Sequence, residues 1–356
     1  MEQQSEFLGE LKAHITVVNY TRPLSLCKQV VILDGLTGTG KTMFSPLLSS
    51  FERMQNARFE YMFEYLCISA KQAKLSQDGA DSLLNLLADV KYYDGTISRE
   101  VNFRPGDLSS VLNGSKAIKY IKQLWMKDGH HVEERINKEN PILFLVTHQL
   151  LSCIEPALEA FKHRLKLIEM VRHPLYLLDH WATYIEMHGN STRDFTIWIE
   201  SNGISIPWFA KGWEGKYIKS STYDKVVYAI EYLMESVFLY AGNNALKKSI
   251  MFVPFEKFVL SPTGYLKDLE LFLDTSITDA TNSILKKQRV PRPSINAGPQ
   301  RNIYIRYGLK KYDKAISHEQ DYQIRLNSAF KKSSPEAFLV VQRLSKKYEE
   351  IFGTWF

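Results

Sequence analysis

Apolar and polar positions along the chain fall into two alternating patterns. Short runs rich in β-branched residues, Val30–Leu33, Ile142–Val146, Leu165–Val171 and Ile250–Val253, have the length and composition of buried strands. Between them lie longer stretches with helical spacing. Tyr223–Tyr240 is the clearest, with Val226, Val227, Ile230, Leu233, Met234 and Val237 on one face. A last helix is expected from the serine cap and first-turn proline of Ser334-Pro335-Glu336 to near Ile351, before Gly353. Strands alternating with helices predict an α/β fold, because parallel neighbours require crossover connections. The expected arrangement is a central parallel sheet with helices on both faces and a ligand at the carboxyl ends of the strands.

Two stretches break the pattern. Asp94–Ser115 contains Gly95, Pro105, Gly106 and Gly114 and reads as a long loop or insertion, of the kind that shapes an acceptor pocket. Lys286–Lys314 is basic and interrupted by Pro291, Pro293 and Pro299; it suits either a solvated face or a loop closing over a nucleotide. Neither has the composition of a flexible linker. Residues 1–356 are therefore expected to form one domain, with insertions near 94–115 and a basic segment at 286–314.

Composition narrows the function classes. With 45% hydrophobic and 24% charged residues, disordered, collagenous and disulfide-scaffold classes are excluded. Lys and Arg outnumber Asp and Glu by 45 to 39, a formal charge of +6. This suits an anionic ligand but is too mild for a dedicated nucleic-acid binder. Cys27, Cys67 and Cys153 are widely spaced with no C-x-x-C pair, so neither a disulfide framework nor a cysteine-built zinc site is expected. The start, Met1-Glu2-Gln3-Gln4-Ser5-Glu6, has no basic or apolar region of a secretory signal, and no apolar run approaches a membrane span. A soluble, cytoplasmic chain is the expectation.

The chemistry is concentrated after the first strand. Gly35-Leu36-Thr37-Gly38-Thr39-Gly40-Lys41-Thr42 fits G-x-x-x-x-G-K-[ST] and follows the strand ending at Leu33. Glycines let backbone N–H groups turn around a phosphate, and the following helix presents its positive end to the same anion. Lys41 adds a full charge, and the Thr42 hydroxyl can bond a phosphate oxygen or a metal. A nucleotide-hydrolysing enzyme would normally place an acidic residue at the end of a second apolar strand to hold Mg²⁺. Here the run Ile142–Val146 ends in Thr147-His148, and Leu165–Val171 ends in Arg172-His173-Pro174. Strand ends carrying His and Arg favour direct cationic binding of an anion over metal-assisted chemistry.

In this order, these pieces resemble the sulfotransferases that use 3′-phosphoadenosine 5′-phosphosulfate (PAPS). That family has a 5′-phosphosulfate loop, a strand ending Lys-Thr-His, and a strand ending Arg-x-Pro. The counterparts are Gly38 to Thr42, Thr147-His148 and Arg172-His173-Pro174. Pro207 to Glu214 is similar to the family's Gly-Ser-Trp-Phe-x-His-x-x-Gly-Trp segment, Phe252 to Phe258 to its Tyr-Glu-Asp-Leu strand end, and Tyr348 to Trp355 to its tail. The resemblance implies a three-layer sandwich of the P-loop NTPase type and transfer of a sulfuryl group from PAPS to a hydroxyl or amine, on a small-molecule or glycan acceptor, without an obligatory metal. It implies that Gly35, Gly38, Thr39, Gly40, Lys41 and Thr42 hold the 5′ end, and that Arg172 clamps the 3′-phosphate. His148 becomes the general base, and Lys41 stabilises the leaving phosphate.

The chain departs from the family's pattern at several positions. The family's loop lysine falls on Gly38, and the lysine before Thr-His is Val146. The serine that binds the 3′-phosphate corresponds to His180, and the late Arg-Lys-Gly motif is echoed only by Arg306-Tyr307-Gly308. An intact G-K-T loop leaves open an ATP-dependent small-molecule kinase using Mg²⁺, and a nucleotide-binding module without catalysis is the third reading. Each residue also has a plainer one. His148 could be a satisfied core histidine and Arg172 a salt-bridge partner. His173, His180, Trp208 and Trp213 could serve packing alone, and His130-His131 lacks the carboxylate spacing of a metal site.

Overall fold

The computed structural model describes residues 18–107, 109–201, 203–299 and 316–356. Its strands are β1 (Val30–Asp34), β2 (Arg58–Phe59), β3 (Leu143–Val146), β4 (Leu165–Val171), β5 (Trp198–Ser201), β6 (Ile204–Pro207) and β7 (Ile250–Pro254). Five form one sheet in the order β2-β3-β1-β4-β7, and every pairing in it is parallel. The four apolar runs read from the sequence are four of these strands. In β1 and β3 every residue is buried, which is why they read as continuous apolar runs without alternation.

From β1 the chain moves to the β2 edge, and from there each connection moves the other way across the sheet. Right-handed crossovers therefore put the helix Lys41–Ser49 on one face, and the helices Tyr61–Lys71, Gln77–Thr96, Glu155–Phe161 and Thr222–Ala241 on the other. Helix Asp279–Lys287 joins the first face, where the Ser50 and Thr281 hydroxyls share a 2.8 Å hydrogen bond. The result is the expected α/β arrangement around a parallel sheet. It has a direct consequence for ligands. At the carboxyl end of β1 the chain leaves toward one face while its neighbours β3 and β4 leave toward the other, which opens a crevice at that point.

Other expected elements take their places with small shifts. The long amphipathic helix spans Thr222–Ala241. The last runs Pro335–Phe352, with the Ser334 hydroxyl accepting from the Ala337 N–H and Gly353 ending it at φ 73°. The first three residues of the 94–115 stretch complete the helix Gln77–Thr96; the rest is irregular except for a 3₁₀ turn at Val111–Asn113. The basic 286–314 stretch begins at the end of helix Asp279–Lys287, and Arg292 donates to the carbonyls of Ile295 and Gln288. Arg301, Arg306, Lys310 and Lys311 lie outside the described residues. No described helix is long and apolar enough to cross a membrane. The hairpin β5–β6 was not expected from the sequence.

Candidate active site

The glycine loop leaves β1 at the sheet's carboxyl edge. Gly35, Gly38 and Gly40 have φ of 135°, 97° and 102°, so the turn uses backbone that side-chain-bearing residues avoid. Space forbids side chains as well: a Cβ on Gly35 would lie 2.3 Å from the Met170 carbonyl oxygen, and one on Gly40 would lie 2.5 Å from the Phe255 ring. Trp181, fully buried, fixes the loop from behind by donating its indole N–H to the Thr37 carbonyl at 2.9 Å. The Thr39 hydroxyl turns inward to the Leu36 carbonyl at 2.8 Å, while Thr37 and Thr42 line the cleft.

Lys41 is buried and folds back on its own loop, donating to the carbonyls of Gly35 and Leu36. Beneath it lie three buried carboxylates. Asp34 and Glu169 are register partners across β1 and β4. Asp34 accepts from the Thr147 hydroxyl at 2.9 Å and the Leu151 N–H at 2.8 Å. Glu64, from helix Tyr61–Lys71, accepts from the backbone N–H groups of His148 and Gln149. Burial holds the Lys41 ammonium below its ordinary value, opposed by Asp34, Glu169 and Glu64. Burial and the charge of Asp34 push Glu169 well up, and the same two causes push Glu64 up to about 7. The loop lysine is thus also the counterion of a buried acidic cluster.

His148 stands two residues past the end of β3, on the wall of a cleft of about 620 Å³ whose floor includes Gly38, Gly40, Lys41 and Thr42. Its ring stacks on Tyr61, with centroids 5.2 Å apart and planes 4° from parallel, and more loosely on Phe59 at 5.9 Å. Nδ1 lies 4.0 Å from the Glu64 carboxylate. Burial and the Lys41 charge push the imidazole down to about 3, so it is neutral at physiological pH. A neutral imidazole backed by a carboxylate can accept a proton, as a general base must.

Arg172 follows β4 directly and is half-buried. It donates to the Gly38 carbonyl at 2.7 Å, lies over the Phe255 ring at 4.6 Å, and has Glu256 4.0 Å from its Nε. Glu256 is itself fixed by the His173 N–H and the Tyr348 hydroxyl. His180 sits over Gly38, where a Cβ would lie 3.5 Å from its ring. Burial, Arg172 and Lys41 push its imidazole down to about 4. His173 is enclosed by Tyr176, Tyr322, Tyr348 and Trp355 and pairs with Glu349 at 3.2 Å, a packing role. Trp213 donates to the Phe209 carbonyl, and Trp208 is buried while also bordering the cleft. His130 and His131 are exposed beside Glu133 and Glu134. Arg306 lies outside the described residues.

The fold therefore brings the glycine loop, His148, Arg172 and His180 to one edge of the sheet. Sequence reasoning missed the other cleft walls: Tyr61, Glu64, Tyr65 and Ile68 on one side, Tyr184, His188 and Arg193–Ile197 on the other. The first set has the spacing of a single helix face directly after β2, a signal present in the sequence. The cleft takes none of its described lining from the 94–115 stretch, whose Glu100, Val101, Asn102 and Ser109 border a separate hollow of about 190 Å³ beyond Phe59.

Solved structures similar to this chain include sulfotransferases. One is the sulfotransferase domain from the Synechococcus PCC 7002 olefin synthase, at 11% identity over 93% of this chain and 98% of that one, with a TM-score of 0.42. The sulfotransferase domain from the curacin biosynthetic pathway shares 10% identity over 84% and 97%, with a TM-score of 0.40. Mouse sulfotransferase SULT7A1, complexed with PAP, shares 10% identity over 96% and 93%, with a TM-score of 0.33. No family model and no curated protein matches the chain.

Proposed function

We propose that this chain is a sulfotransferase, moving a sulfuryl group from PAPS to a hydroxyl or amine of a small-molecule or glycan acceptor held in the cleft. The observation that carries the reading is the meeting of two features at the carboxyl edge of the sheet. A glycine-rich loop at a helix N-terminus lies below the same cleft that His148, a neutral imidazole stacked on Tyr61 and 4.0 Å from Glu64, faces from the end of β3. A carboxylate at that strand end would instead have favoured metal-bound nucleotide chemistry.

The residues present suit such a donor. The positive-φ glycines and the amino end of helix Lys41–Ser49 offer N–H groups to a 5′-phosphosulfate, with Thr42 adding a hydroxyl. Arg172, aligned by Glu256 against the loop, carries the donors a 3′-phosphate needs, and His180 adds a ring beside them. When bound, PAPS supplies an electrophilic sulfuryl group on a phosphate leaving group. His148 takes the proton from the attacking hydroxyl or amine, its ring held by stacking on Tyr61. A polyanion on the loop raises the His148 pKa, opposing the effect of Lys41, and so makes the imidazole a stronger base only in the loaded cleft. Lys41, behind the loop, contributes its charge to stabilising the leaving group.

A thermal-shift series with adenosine 3′,5′-bisphosphate, ADP and ATP, each with and without Mg²⁺, tests the reading. Ligand at a hundred times its dissociation constant should stabilise the protein by about 2.7 kcal/mol. The bisphosphate is expected to do so without metal, and Arg172→Ala to abolish the effect. Stabilisation by ATP with Mg²⁺ alone would overturn the proposal in favour of a kinase. With PAPS and an accepted hydroxyl compound, His148→Ala should slow transfer by about 10²-fold or more. Nucleotide binding with no transfer across a broad acceptor screen would leave a binding module.

A further inference from the structure

The short helix Ala117–Gln123 is attached to the protein by its polar face. Tyr120 and Gln123 are buried; the Tyr120 hydroxyl accepts from the Asn56 N–H at 2.6 Å, and the Ser98 hydroxyl donates to both the Tyr120 carbonyl and the Gln123 side chain. The apolar face points outward. Ile118 is 69% exposed and Trp125, on the turn that continues the helix, 77%, with Ile121, Leu124 and Met126 exposed between and beside them. This inverts the usual arrangement, in which a helix buries its apolar stripe. A contiguous patch of this kind marks a docking surface.

The charges around the patch identify its partner. Residues 115–127 carry four lysines and no carboxylate. Lys116 is turned inward to the carbonyls of Phe51 and Met54, and Lys119 reaches Glu139 at 2.9 Å. Lys122 and Lys127 are exposed among the apolar side chains. The nearest following acid, Asp128, is neutralised by Arg99 at 2.7 Å. An exposed tryptophan flanked by aliphatic residues and lysines matches the water–lipid interface, where the indole sits at headgroup depth and the ammonium groups meet phosphate and carboxylate. We propose that Ile118–Lys127 docks this protein peripherally on an anionic lipid surface, with Trp125 as the anchor. The proposal is independent of the reaction in the cleft.

Co-sedimentation of the full chain with vesicles tests it, using phosphatidylcholine alone and phosphatidylcholine mixed with phosphatidylserine. The protein is expected to pellet with the anionic vesicles only, and less so as salt rises. Lys122→Gln should weaken partitioning about fivefold, and Trp125→Ala should weaken it further. Both residues are exposed, so circular dichroism should show the fold of each variant intact. Wild-type protein remaining in the supernatant with both vesicle types would overturn the proposal. Undiminished binding by the double variant would do the same. A lipid-free dimer that Trp125→Ala dissociates, seen by sedimentation velocity, would reassign the face to a second copy of the chain.

Discussion

Glu64→Gln is expected to stabilise the protein at pH 8 while changing little at pH 5. Glu64 is buried against Asp34 and Lys41, and its carboxyl is pushed from an ordinary 4.5 up to about 7. Between those values the folded state holds a proton that the unfolded state has released. Its contribution is therefore full below about pH 4.5 and is lost as pH rises through 7. The displacement corresponds to about 3 kcal/mol, most of it lost between pH 5 and pH 8. Glutamine keeps an oxygen to accept from the His148 and Gln149 N–H groups but carries no charge to desolvate. Urea unfolding of both proteins at pH 5 and pH 8 measures the effect. Any change in hydrogen bonding is common to the two pH values, so the difference between them isolates the titration. A variant whose stability relative to wild type is the same at both pH values, or lower at pH 8, would refute this account of the acidic cluster.

Two further outcomes follow from the packing. Gly40→Ala combines a φ of 102° with a Cβ 2.5 Å from the Phe255 ring, so denaturant unfolding should show a loss of about 2 kcal/mol or more, with nucleotide-induced stabilisation lost as well. Cys27, Cys67 and Cys153 are buried free thiols; burial pushes Cys27 up to about 12 and the other two well above their ordinary value. Ellman's reagent should react with none of them in the native protein and with three after unfolding, and rapid native-state labelling would refute that burial.

Elements of this fold were legible where burial alone decides them. β1, β3, β4 and β7 lie inside a covered parallel sheet and read as apolar runs whatever surrounds them. β2 is a two-residue edge strand, Arg58–Phe59, that exists because β3 offers it a partner, and its own composition carries no strand signal. β5–β6 is a half-exposed hairpin turning at Gly203, φ 76°; the Asn202-Gly203 pair was its available sequence cue. The placement of the candidate site residues divides in the same way. Gly35–Thr42, His148 and Arg172 were readable because each sits within a few residues of a legible strand end. The Tyr61–Ile68 wall shows its helix-face spacing in the sequence, but tertiary packing decides that this face and the 184–197 segment meet the cleft.

Lys41 shows what spacing leaves out. The G-K-T pattern locates the lysine, but strand register sets its surroundings. Pairing Asp34 with Glu169 places two carboxylates side by side in the core, an arrangement that like charge disfavours. Glu64 adds a third carboxylate nearby through the loop that carries His148. Burial and Asp34 push Glu169 well up, so a proton relieves that pairing, while the three acidic groups oppose the loss of charge that burial imposes on Lys41. The lysine that the motif assigns to an anion thus also links the glycine loop electrostatically to the carboxylate behind the histidine. Loading the loop with a polyanion would draw on the same charge that now balances Glu64, raising the proton affinity of Glu64 and His148 together.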